Sequence, residues 1–125
     1  MKVILLNGSP HADGCTYTAL QETVRGLKDY GVDTEILHIG KDSIPGCKGC
    51  FACRKLGGTT SALEVLQKYP LVCEQPLVAS SYWCMVHGNT PKEVRSDEEG
   101  MEIAYHLGRN MAWMVKALHH MPRPE

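Results

Sequence analysis

The chain of 125 residues has the length of one domain, and its 43% hydrophobic and 22% charged residues are those of an ordinary folded protein, which excludes global disorder. Thirteen Lys plus Arg against fourteen Asp plus Glu give a net charge of -1 with no dense basic run, so nucleic acid finds no electrostatic footprint. The opening apolar run, Val3 to Leu6, is too short for a signal core or a membrane span, and the expected location is the cytoplasm with no membrane partner.

Lys2 to Asn7 (KVILLN) reads as a buried parallel strand that ends on Gly8, Ser9 and Pro10. Leu20, Val24 and Leu27 then recur at helical spacing, with Gly31 as the stop. Asp33 to Ile39 reads as a second strand, broken by Gly40. The stretch from Ser43 to Gly58, rich in Gly and Cys, reads as loop. Ser61 with Glu64 is a capping-box pattern, and Leu63, Leu66 and Tyr69 carry that helix until Pro70 ends it. Pro76 to Trp83 (PLVASSYW) predicts a third strand. Thr90, Pro91 and Glu93 mark another helix start, and Ile103, Leu107, Met111, Met114 and Leu118 share one face of the last helix. Met121 to Glu125, with two prolines, is expected to fray. This alternation of strands and helices predicts an α/β sandwich around a mainly parallel sheet.

The first turn, Asn7 to Thr16, holds Gly8 and Gly14, several hydroxyls and a helix start. Open backbone N–H groups and the positive helix end make such a turn an anion site, with Ser9 and Thr16 as hydroxyl donors and His11 as a further contact. A Ser/Gly-rich turn that only caps the helix is the structural alternative. Neither the Gly-Lys-Ser/Thr ending of a P-loop nor a Gly-x-Gly-x-x-Gly fingerprint is present.

The pattern N-G-S-P-x-x-x-G-x-T after an apolar strand resembles the phosphate loop of the flavodoxin-like, NAD(P)H-dependent FMN reductases and iron-sulfur flavoproteins. Ile36 to Gly46, Gly58 to Thr60, Tyr82 to Asn89 and Leu107 to Ala112 resemble further stretches of that family. The resemblance implies a flavodoxin-like three-layer sandwich. It also implies FMN held at Ser9, His11, Gly14, Cys15 and Thr16, with Tyr82, Trp83 and His87 near the flavin or substrate. His11 stands where many relatives carry Arg, and a neutral imidazole is the weaker phosphate partner. Hydride would come from NAD(P)H and pass through FMN to a small acceptor.

A flavodoxin-like sheet has five parallel strands, whereas three are recognisable here. Relatives resemble this chain on both sides of residues 57–59, so residues 1–125 read as one domain truncated internally there, with roughly sixty residues missing at about thirty per βαβ step. Apolar surface left bare by that loss would be covered in a homodimer or higher homo-oligomer. A non-catalytic oligomeric remnant without a complete flavin site is the alternative reading.

Cys47, Cys50 and Cys53 resemble the start of the cluster-binding run of the iron-sulfur flavoproteins, but a [4Fe-4S] cube needs a fourth ligand, and Gly57, Gly58 and Thr59 stand where it would be. An iron-sulfur centre completed by Cys73, zinc held by the three thiolates and a His, and reduced thiols are the open alternatives.

Overall fold

The computed structural model describes residues 1–40 and 59–121. Two compact units divide the chain, Met1–Gly46 with Val78–Glu125 and Cys47–Leu77. The expected loop at 43–58, the three clustered cysteines, the truncation point at 57–59 and most of the expected frayed tail lie outside the described residues.

In the first unit, strand β1 (Lys2–Asn7) leads through a turn into helix α1 (Cys15–Asp29) and then strand β2 (Asp33–His38). The strands pair in parallel, Lys2 against Asp33 through Asn7 against His38. Helix α1 ends as Gly31 suggested. Gly31 takes a φ of 71°, its amide bonds the Lys28 carbonyl, and the Val32 amide bonds the Leu27 carbonyl. Leu5, Leu27, Val32 and Ala112 form the core of this unit, with Val3, Leu20, Val24, Ile36 and Met111 packed around it.

The C-terminal part of the unit is helical in two pieces, α2 (Pro91–Ser96) and α3 (Glu98–His119). Thr90 caps the first piece by accepting the Glu93 amide at 3.3 Å. Asp97 interrupts the helix with ψ 82° and caps the second piece, its Oδ1 accepting the Gly100 amide at 3.1 Å. Helix α3 packs on α1 through small residues. A Cβ on Gly26 would strike the Tyr105 carbonyl, and one on Gly108 would strike the Thr23 carbonyl. Only glycine lets the two backbones approach this closely.

The expected third strand is not formed. Residues 76–83 join no sheet, and the sheet consists of β1 and β2 alone among the described residues. Residues 79–81 are instead tied along α3: Asn110 Nδ2 donates to the Ala79 carbonyl at 2.8 Å, Ser80 Oγ donates to the Ile103 carbonyl at 2.5 Å, and Ser81 Oγ lies 2.6 Å from His106 Nδ1. Side-chain hydrogen bonds given and received by the helix thus take the place of a strand ladder. Helix α1, with Ala112 and Met111 of α3 beside it, packs on one face of the sheet, while Ile4 (57%), Leu6 (58%) and Leu37 (47%) are exposed on the other; two parallel strands with helices agree with a shortened α/β fold.

The second unit contains a helix over Thr59–Val72. Pro70 lies inside it rather than ending it. One missing N–H in a last turn is tolerable, and the helix closes two residues later with Glu74 at φ 54° and the Gln75 amide on the Pro70 carbonyl at 2.9 Å. Among the described residues no helix is long and apolar enough to cross a membrane.

Candidate functional site

The turn between β1 and α1 is built by side chains standing in for backbone. Asn7 ends β1 on the covered face with its side chain fully buried at 0% exposure. Its Oδ1 accepts the Ser9 amide at 3.1 Å, and its Nδ2 donates to the Ala12 carbonyl at 3.0 Å. Ser9 repeats the device, its Oγ accepting the His11 amide at 3.2 Å. Two Asx-type and Ser-type turns in series therefore set the path of the loop.

Two of the amides expected to face an anion, those of Ser9 and His11, are thus spent inside the turn. The open donors lie further on. Gly14 is the N-cap of α1 in extended conformation and offers no side-chain cap. The first intrahelical bond is made by the Thr18 amide to the Gly14 carbonyl at 3.1 Å, which leaves the amides of Cys15, Thr16 and Tyr17 without an acceptor among the described residues. Ser9 Oγ keeps its own proton for donation, since it only accepts from His11. Thr16 and His11 are exposed, and Cys15 and Gly14 are half-buried. A Cβ on Gly14 would press to 3.1 Å on the His11 Cβ, so glycine keeps the mouth of the turn clear. Thr18, buried and donating from Oγ1 to the Gly14 carbonyl at 3.2 Å, locks the helix start from inside.

Tyr82, Trp83 and His87 line a second place, a cavity of about 40 Å³ closed by Met85, Asp97, Glu99, Gly100 and Ile103. It has room for a water or two rather than for a tricyclic ring. The Tyr82 hydroxyl donates to Glu99, which raises the tyrosine pKa. Asp97 Oδ2 accepts the His87 amide at 2.6 Å. With the Gly100 amide on the other oxygen, these backbone donors hold the Asp97 carboxyl below its ordinary pKa. No hydrogen bond among the described residues joins this cluster to the turn at 9–16. Cys84 is a free thiol whose pKa rises through desolvation. Among the described residues no group of three or more His, Cys, Asp or Glu is placed to hold a metal. Cys47, Cys50 and Cys53 lie outside those residues.

Asn7 and Thr18 are the two buried anchors that motif reading passed over. An Asn immediately before Gly-Ser at a strand end was the available signal for the first.

A strand, a side-chain-locked turn and an uncapped helix start within a βαβ unit define an α/β protein whose first turn presents open backbone donors. The family model for NADPH-dependent FMN reductase matches residues 1–69, more than half of the chain, and the chain belongs to that family. An iron-sulfur flavoprotein of Methanocaldococcus jannaschii is 32% identical over 57 residues, which are 46% of this chain and 30% of that protein. An iron-sulfur flavoprotein of Archaeoglobus fulgidus is 38% identical over 55 residues, 44% of this chain and 27% of that protein. The match thus spans less than a third of the length of these relatives. No solved structure gives a significant match.

Proposed function

We propose that the chain is a flavin-dependent oxidoreductase that holds the phosphate of FMN at the start of α1, takes hydride from NAD(P)H and passes electrons to a small acceptor. The observation that carries this reading is the uncapped first turn of α1, where three amides and the helix dipole converge beneath a glycine. Family membership supplies the ligand class. The fit is to the phosphate: Gly14 leaves the space, Cys15, Thr16 and Tyr17 present amides, and Ser9 and Thr16 add hydroxyls. FMN, when bound, supplies the hydride-accepting chemistry. The chain's own part is to place it and neutralise its charge, and no side chain is assigned as acid, base or nucleophile.

Titration of FMN against the purified protein, followed by flavin fluorescence quenching, tests the proposal. Saturable quenching in the micromolar range is the expected result, with Gly14→Val weakening it at least about tenfold because its side chain fills the mouth of the turn. Absence of quenching at high micromolar FMN removes the reading. The exposed face of Ile4, Leu6 and Leu37 favours a second reading, an oligomer that has kept the fold and lost the chemistry. Such a protein assembles but gains no thermal stability from added FMN.

A further inference from the structure

Three consecutive residues at the end of β2 grip the turn that precedes α1. The Ile39 amide bonds the Asn7 carbonyl at 3.0 Å. His38 Nε2 stands 2.8 Å from the Ser9 carbonyl, and a carbonyl oxygen only accepts, so Nε2 carries the proton. Gly40 passes so near that a Cβ there would strike the same carbonyl. Because His38 is the register partner of Asn7, the two side chains stand next to one another on the covered face of the sheet. Asn7 holds the amide side of Ser9 and His38 holds its carbonyl side. The peptide units flanking Ser9 are therefore fixed from two strands at once.

We infer that His38 is a positioning residue for the anion-binding turn, fixing Ser9 so that its hydroxyl faces the phosphate held at the start of α1; this rests on the flavin reading above. The ring itself touches no ligand in this arrangement. Its bond to the Ser9 carbonyl sets the backbone on which the Ser9 side chain stands. Losing the bond would leave a turn that folds but samples several arrangements, and the effect would fall on the phosphate end of the ligand alone. Gly40 belongs to the same device, since any larger residue would displace Ser9.

The test compares wild type, His38→Ala and His38→Gln, the Gln amide nitrogen reaching close to where Nε2 stands. Each protein is titrated with FMN and with riboflavin, which lacks the phosphate, and backbone amide exchange is measured at Ser9 and His11 in the free protein. His38→Ala is expected to weaken FMN about tenfold while riboflavin changes by less than about twofold, and His38→Gln is expected to regain most of the loss. Exchange at Ser9 and His11 accelerates in the Ala variant, with Val32 in the core as the unchanged reference. Unchanged FMN affinity in His38→Ala overturns the inference, as does an equal loss for FMN and riboflavin, which is the mark of a merely structural role. If wild type binds no FMN, the flavin reading fails by itself, and the exchange data still decide whether His38 fixes the turn: equal rates in wild type and His38→Ala reject it.

Discussion

Asn7 shows how much of the candidate site rests on one side chain. Its amide is fully buried, donates once and accepts once, and has no apolar substitute of the same shape that would leave the turn satisfied. Asn7→Ala strands the Ser9 amide and the Ala12 carbonyl, at a cost of about 2 kcal/mol. Urea unfolding measures that loss, and FMN titration on the still-folded variant should show weaker binding than wild type. Asp97 carries a different prediction. Its folded pKa lies below the ordinary aspartate value, chiefly through the His87 amide and then the Gly100 amide. A depressed carboxylate contributes stability that is complete above the unfolded value, about 3.9, and is lost as pH falls below it through the folded value. The melting temperature should therefore drop on acidification below about pH 4, and part of that drop should vanish in Asp97→Asn, which cannot titrate. An identical acid profile for both proteins would remove Asp97 from the account.

At the level of elements, the crossing of α1 and α3 is decided by what is missing from their side chains. Gly100, Ala104, Gly108 and Ala112 recur every four residues on α3, and all four are buried. Gly108→Ala adds a Cβ against the Thr23 carbonyl, a backbone atom that cannot swing aside, and should destabilise the protein by about 2–3 kcal/mol despite the better helix propensity of alanine. A chemical melt measures it; an unchanged midpoint would mean that the helices do not meet there. The same stripe explains one failure of pattern reading. Ile103, Leu107, Met111, Met114 and Leu118 announced a helix correctly, yet of these only Ile103 is buried, because close packing selects small residues that carry no hydropathic signal. β1, α1 and β2 were legible because a short apolar run, a period of about four and a glycine stop are local properties. The strand expected at 76–83 was not, since an extended apolar segment becomes a strand only where a ladder partner exists, and here the segment is held to α3 by side-chain hydrogen bonds, Asn110 to the Ala79 carbonyl and Ser80 to the Ile103 carbonyl. Within the candidate site, the glycines and hydroxyls of the turn could be read directly. Asn7 and Thr18 bond only within five residues and so left a local signal, whereas His38 left none, because its partner, the Ser9 carbonyl, lies 29 residues away and is met only once β2 has paired with β1.

For the molecule as a whole, the face of the sheet away from α1 is its exposed apolar feature nearest the first turn. Along the paired register this face carries Lys2 against Asp33, Ile4 against Glu35 and Leu6 against Leu37, so it runs from charged at one end to apolar at the other. Lys2 and Glu35 form an ion pair at 2.5 Å with both side chains about half exposed. Such a surface pair contributes little to stability, and its stronger effect is to set the orientation of whatever covers the neighbouring aliphatic groups. On its other side β1 has no hydrogen-bonded neighbour among the described residues, an open edge that natural sheets ordinarily pair or cover. We propose that a homo-oligomer buries the apolar end of this face. Leu6→Ser with Leu37→Ser removes two half-exposed leucines from it, worth about 2 kcal/mol of association or a factor of about thirty in Kd. Both side chains point away from the Leu5 and Leu27 core, so the double variant should melt within a few degrees of wild type while sedimenting as a smaller species. Sedimentation equilibrium across a concentration series decides the matter. A wild type that remains monomeric at high micromolar concentration would leave the face uncovered in solution and defeat the oligomer proposal.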